Sequence, residues 1–137
     1  MNKIWLKSYP PGVPAEIDVG EFSSLADLFD KGVRKYAEHT AYIDMGKTIS
    51  YREREVLSGQ FAAYLQGELK LAPGARVALM MPNCLQYPIA MFGVLRAGYT
   101  VVNVNPLYTA RELEHQLCDA GCAAIVIVEN FAHTLQE

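Results

Sequence analysis

The side chains best able to do chemistry in this chain are three cysteines, three histidines and two glutamates, and their spacing limits what each can do. His115 and Cys118 stand on one face of an expected helix, and Cys122 follows just past its end. Such a trio raises metal ligation, but zinc sites pair Cys or His at tighter, repeated spacings, and no fourth ligand is evident. The preferred reading is structural: Cys118 and Cys122 are small apolar packers, and His115 is solvated beside Arg111, Glu112 and Glu114. Cys84 would need a base and an orienting group to act as a nucleophile, and the sequence pairs no histidine with it. His39, near the end of the first expected helix, complements the helix dipole, whereas His133 lies in an unfinished terminal segment. Glu53 and Glu112 close the capping boxes Ser50-Tyr-Arg-Glu53 and Thr109-Ala-Arg-Glu112, so neither is assigned a catalytic role.

These residues sit in a chain of globular balance. Of its 137 residues, 51% are apolar and 20% charged, which excludes a disordered tail, a collagenous repeat or a coiled coil. Twelve basic side chains against 15 acidic ones give a net charge of -3, so nothing electrostatic argues for a nucleic-acid partner. An odd cysteine count fits a reducing cytosol better than an oxidising compartment. Lys7, Tyr9, Pro10 and Pro11 interrupt the apolar residues near the N-terminus, so no signal-peptide core is expected. The apolar stretch Ile89 to Leu95 falls far below the ~20 residues needed to span a bilayer.

The elements follow from periodicity. Residues 1 to 22 contain Pro10, Pro11 and Pro14 and predict an extended or looped arm on the surface. Leu25, Leu28, Phe29, Val33 and Tyr36 recur at helical spacing, with Ser24 and Asp27 as a start signal, and predict a helix over 24–38. Ala41 to Met45 and Thr48 to Tyr51 flank Gly46-Lys47 as a short hairpin or as extended segments about a tight bend. Leu57, Phe61, Tyr64 and Leu65 then mark a second helix that ends before Ala72-Pro73-Gly74. Val77 to Met81, Thr100 to Val104 and Ala124 to Val128 are apolar runs suited to strands buried on both faces. A helix over about 86–97, stopped by Gly98, and one led by Thr109 and stopped by Gly121 separate them.

The fold class is therefore α/β. A partial doubly wound parallel sheet (β-α-β-α-β) with right-handed crossovers is preceded by an extended arm, a helix, a short hairpin and a second helix. Such a sheet prompts a search for a phosphate cradle, but no G-x-G-x-x-G and no G-x-x-x-x-G-K-[ST] occurs. The turn Pro82-Asn83-Cys84 offers no glycine for a close backbone approach to a pyrophosphate. Two features point to an incomplete domain. Ile89, Met91, Phe92, Val94 and Leu95 cover most of their helix, as though further protein packed above it, and Asn130 caps a helix with little chain left to form it.

The block Leu95-Arg-Ala-Gly-Tyr-Thr-Val-Val-Asn-Val-Asn-Pro106 resembles the early core motif of the adenylate-forming superfamily. Arg76-Val-Ala-Leu-Met-Met-Pro-Asn83, Gln86-Tyr-Pro88, Asn105-Pro-Leu-Tyr-Thr109, Arg111-Glu-Leu-Glu-His-Gln-Leu117 and Ala124-Ile-Val-Ile-Val128 narrow the likeness to the N-terminal part of bacterial long-chain fatty acid CoA ligases. Ile4-Trp5-Leu6, Tyr9-Pro10 and Phe61-Ala-Ala-Tyr-Leu65 extend it over nearly the whole chain. The chain departs from the pattern at Arg54, where an apolar residue is common, at Thr40 in place of a frequent proline, and at Ala75 in place of a frequent aspartate.

The resemblance implies a parent ligase that uses ATP, Mg2+ and CoA to activate long-chain fatty acids through an acyl-adenylate. It divides the chain into an arm (1–22) and an N-terminal subdomain (23–137) truncated at its C-terminal end. The phosphate loop, the acidic residues for Mg2+ and ribose, and the C-terminal lysine of the family all fall outside this sequence. The fragment is accordingly expected to be scaffold, inactive alone, with no catalytic, cofactor-binding or metal-binding residue of its own. Asn105 and Tyr108 are the substrate-adjacent candidates, because their loop leaves the end of a parallel strand. The remainder of the ligase is the implied partner, and the resemblance also suggests homodimer contacts and peripheral contact of a cytoplasmic enzyme with the inner membrane through the arm. The competing reading is a self-contained α/β protein-interaction module. A receiver-like signalling domain is disfavoured because no acidic pair ends the first strand of the sheet.

Overall fold

The computed structural model describes residues 3–136, so Met1 and Asn2 of the arm and the terminal Glu137 lie outside it. Residues 3–22 are irregular apart from a 3-10 turn at Ile4–Ser8, a local helical twist that the proline content does not announce. Helix α1 (Leu25–Tyr36) starts where the Ser24 hydroxyl accepts the Asp27 N–H at 3.0 Å. The Asp27 carboxylate turns instead to the Ser23 N–H at 3.0 Å and to Lys31 at 3.0 Å.

Strands β1 (Thr40–Asp44) and β2 (Lys47–Ser50) pair antiparallel, with Asp44 opposite Lys47. Their two-residue turn is Met45-Gly46, one position earlier than expected. Both residues have positive φ (47° and 74°), as the twist of a two-residue hairpin demands. Tyr51 leaves the hairpin and opens helix α2 (Tyr51–Gly67), because Ser50 is its N-cap. In this box the Glu53 carboxylate accepts the Ser50 N–H at 2.8 Å while Ser50 Oγ accepts the Glu53 N–H at 3.1 Å.

Three parallel strands follow: β3 (Arg76–Met80), β4 (Thr100–Val104) and β5 (Cys122–Ile127), in the order β4-β3-β5. They alternate with helix α3 (Gln86–Arg96) and helix α4 (Ala110–Ala120), and a short α5 (His133–Gln136) comes last among the described residues. Strand β5 begins earlier than expected and bulges between its pairings Arg76–Cys122 and Val77–Ala124. Asn130 lies within a 3-10 turn at Glu129–Phe131 rather than capping a helix. Gly98 ends α3 at φ 80°: its N–H donates to the Leu95 carbonyl and the Tyr99 N–H to the Val94 carbonyl, each at 3.1 Å.

Because β3 is central, both its faces are covered. Val77 and Leu79 pack with Ala62, Leu65, Ala90 and Val94 of α2 and α3, whereas Ala78 and Met80 face Val104 and Leu113 on the α4 side. Alternate residues of one strand thus serve two cores, which explains the unbroken apolar run. A third cluster, Phe29, Val33 and Phe92, fastens α1 to α3. The nearly all-round apolar character of α3 is accounted for in part inside the chain: the sheet takes Ala90 and Val94, α2 presses on Gly93, and α1 takes Phe92. Ile89, Met91 and Leu95 stay only partly buried, so α1 and α2 cover part of the apolar surface of α3.

The capping boxes predict an acid limb of stability. Hydrogen bonds from the Ser50 and Thr109 backbones, and then from their hydroxyls, hold the Glu53 and Glu112 carboxyls below the ordinary glutamate value. Their folded pKa values are depressed, so this contribution is complete above the unfolded value of ~4.3 and is lost as pH falls through the folded values. Urea unfolding followed from neutral pH down to about pH 3 should show stability declining below about pH 4.3. Exchanging both glutamates for glutamine should lower neutral-pH stability and flatten that decline.

Candidate functional site at the carboxyl end of the sheet

Parallel pairing brings the carboxyl ends of β3, β4 and β5 to one rim, carrying the turns that begin at Met81, Asn105 and Val128. The chain moves from β3 outward to β4, then crosses to β5 on the other side. The crevice of such a sheet lies between the strands whose connections diverge, here β3 and β5. Asn105 and Tyr108 do lie at the carboxyl rim, but beyond the edge strand β4 and to one side of that crevice.

Their local roles are visible. Asn105 Oδ1 accepts the Leu107 N–H at 3.0 Å, and the Asn105 carbonyl accepts the Tyr108 N–H at 3.1 Å, which folds the loop back on itself. Tyr108 is half-buried against the Ala78, Met80, Val104 and Leu113 cluster. The Asn105 amide is thus engaged by its own turn, and the Tyr108 ring packs toward the α4 side of the sheet.

A contact that the sequence does not disclose stands close by. The Tyr87 hydroxyl donates to Asn103 Oδ1 at 2.9 Å, and Gln116 Nε2 donates to the Asn103 carbonyl at 2.9 Å. These bonds tie α3 and α4 to the end of β4 from both faces of the sheet. The motif Gln86-Tyr-Pro88 is the signal for Tyr87, but its partner lies beyond one helix and a turn. Tyr87 also lines a cleft of about 330 Å3 with Tyr42, Asp44, Asn83, Cys84 and Met91, between the hairpin and the β3 turn.

The remaining chemistry-bearing residues stay apart. Cys84 is half-buried in that cleft, while Cys118 is exposed and is not the apolar packer expected, because it faces out on the second half of α4. Burial pushes the Cys122 thiol up, against a smaller opposing pull from Arg76. His115 is exposed, as expected. His39 lies past the end of α1, where its N–H donates to the Tyr36 carbonyl at 2.8 Å and its ring tilts against Tyr36 at 5.6 Å. His133 opens α5 and is exposed. Among the described residues, no three His, Cys, Asp or Glu side chains gather as metal ligands. The β3 turn, with α3 lacking a side-chain N-cap, likewise forms no glycine-lined phosphate cradle.

Two arginines have structural roles that sequence reasoning missed. Arg96 Nη1 donates to the Glu55 carbonyl at 2.7 Å and to the fully buried Ser58 Oγ at 2.8 Å, which pins the end of α3 to the middle of α2. Arg54 is only 5% exposed, among aromatic rings.

A three-stranded parallel sheet with its first strand central and helices on both faces is the opening of a doubly wound α/β domain. Residues 29–137 match the family model described as AMP-binding enzyme, and the chain belongs to that family. A long-chain-fatty-acid CoA ligase from Yersinia pestis is 62% identical over 137 residues, which is 100% of this chain and 24% of the relative. Its counterpart from Bacillus subtilis (strain 168) is 39% identical over 128 residues, 93% of this chain and 22% of the relative. Among solved structures, a benzoate CoA ligase from Burkholderia xenovorans LB400 superposes with a TM-score of 0.76 at 27% identity, over 81% of this chain and 22% of that one. The chain therefore spans about a quarter of the length of the curated relatives it matches.

Proposed function

We propose that this chain is the N-terminal part of a ligase that activates long-chain fatty acids. In the first step a carboxylate oxygen attacks the α-phosphorus of ATP and expels pyrophosphate; in the second the CoA thiol attacks the acyl carbonyl and expels AMP. The 62% identity to a long-chain-fatty-acid CoA ligase over the full length of the chain carries this reading. Within it, residues 23–137 serve as a scaffold, and the loop holding Asn105 and Tyr108 stands beside the substrate. Mg2+ would be held by residues of the parent beyond this chain.

Pyrophosphate release dependent on ATP and palmitate tests the proposal. The 137-residue chain alone should give none above the blank. A chimera carrying this chain in place of the matching quarter of the Yersinia pestis relative should release pyrophosphate and form palmitoyl-CoA. Turnover by the chain alone would defeat the scaffold reading, and a folded but inactive chimera would favour the interaction module.

The arm is proposed to carry dimer contacts and peripheral membrane contact. It leaves Ile4, Ile17 and Val19 at 72%, 81% and 86% exposure, with Trp5 and Val13 also exposed. No helix among the described residues is long and apolar enough to cross a membrane. Sedimentation of the chimera with and without residues 1–22 should show a dimer only when the arm is present; equal masses would remove the arm from the interface.

A further inference from the structure

Arg54 is the least expected residue in the interior. Its guanidinium carbon lies 4.4 Å from the Phe29 ring centre, 4.8 Å from Tyr51, 4.9 Å from Phe92 and 5.5 Å from Tyr42. These ring faces attract a cation, but they supply no acceptor for its N–H groups. Its hydrogen bond to the Tyr42 hydroxyl is long, at 3.4 Å, and the buried Nε has no partner. Among the described residues no carboxylate forms an ion pair with it. Arginine does not escape such a site by losing its proton, so the charge remains and asks for a counterion.

Arg54 also lines a cavity of about 470 Å3 between α1, the hairpin and α2. Lys31 and Lys35 also border it, and Glu21 is its one carboxylate. Lys31 is held by Asp27 at 3.0 Å and by the Glu21 carbonyl at 2.8 Å, while the Lys35 ammonium sits 5.0 Å from the Tyr36 ring centre. With Lys31 paired to Asp27, Lys35 and Arg54 stand against the single lining carboxylate of Glu21, so the pocket keeps a surplus positive charge on a chain whose net charge is -3. Tyr36, Tyr42 and Tyr51 also line it.

We propose that this pocket binds a small aromatic carboxylate, its carboxylate on the Arg54 guanidinium and its ring among the tyrosines. A planar fork matches a planar carboxylate, and aromatic walls favour a flat apolar body. Glu21 is the internal competitor for the same charge. The inference rests on Arg54 and its surroundings, so it stands or falls separately from the ligase reading.

Benzoate and its neutral isostere benzamide are the probes, titrated at low salt into the full 137-residue chain. Thermal unfolding and amide chemical shifts are the readouts. Benzoate should raise the unfolding midpoint saturably, with a Kd of about 1 mM, and shift amides of α1 and α2. Benzamide should do neither. Arg54→Leu should unfold at a higher temperature than the parent chain and lose benzoate binding. Arg54→Lys, which keeps charge but not the fork, should bind about tenfold more weakly, and Glu21→Gln more tightly. No saturable response to roughly 20 mM benzoate would overturn the proposal. So would equal responses to both probes, or a folded Arg54→Leu chain that binds benzoate like the parent. If that variant does not fold, unchanged binding in both Arg54→Lys and Glu21→Gln overturns the proposal equally.

Discussion

Phe29→Ala lowers the free energy of unfolding by about 3–5 kcal/mol, the largest effect expected of a single substitution in this chain. Phe29 is 1% exposed, and its ring lies 4.5 Å from that of Phe92. The Arg54 and Arg96 guanidinium carbons lie 4.4 Å and 5.1 Å from the same ring centre. Truncation leaves a void, removes one cation-supporting face from each arginine, and strips α1 of its main apolar anchor. Phe29→Leu should cost less, about 1–2 kcal/mol, because most of the volume stays filled. Urea unfolding by circular dichroism, with the slope checked for constancy, measures both. A loss below about 1 kcal/mol for Phe29→Ala would show that α1 is not held by this cluster.

Gly93→Ala is the second large loss, about 2 kcal/mol, although alanine is the better helix former by about 1 kcal/mol. A methyl group there would meet the Phe61 ring at 2.7 Å and the Ser58 carbonyl oxygen at 3.0 Å. The ring can turn aside, but the carbonyl belongs to the backbone of α2 and moves only if the helices part. Their separation is also set by Arg96, whose bonds to Ser58 and Glu55 at 2.8 Å and 2.7 Å would stretch. Gly67→Ala is the matched control: it lies at the end of α2 with nothing within 4 Å of the added methyl, and should be neutral or stabilising. A stabilised Gly93→Ala chain would refute the close crossing of α2 and α3.

What the sequence discloses is mostly local. The boxes at Ser50 and Thr109 and the stops at Gly98 and Gly121 depend on residues within one turn of each other, and all four form as expected. Strand β4 occupies the expected Thr100–Val104, because its β-branched run is bounded by a helix stop and by Pro106. Strand order is not legible, since pairing β3 with both β4 and β5 is decided by packing between segments far apart in the chain. For the same reason the bond between Tyr87 and Asn103, 16 positions apart, has no sequence signal. Arg54 stands out in the sequence as an oddity, but its enclosure depends on rings from α1, β1, α2 and α3, which no helical period records. The rim candidates Asn105 and Tyr108 follow from strand direction alone; the position of the crevice requires the strand order.

The order β4-β3-β5 leaves both outer strands with a row of backbone donors and acceptors that face no third strand among the described residues. Such rims are templates: an extended segment of another molecule can dock along either one and lengthen the sheet by main-chain bonding, without regard to its side chains. Handled at high concentration, the isolated chain is therefore exposed to edge-to-edge aggregation, and its solubility is governed as much by these two borders as by the packing of its core.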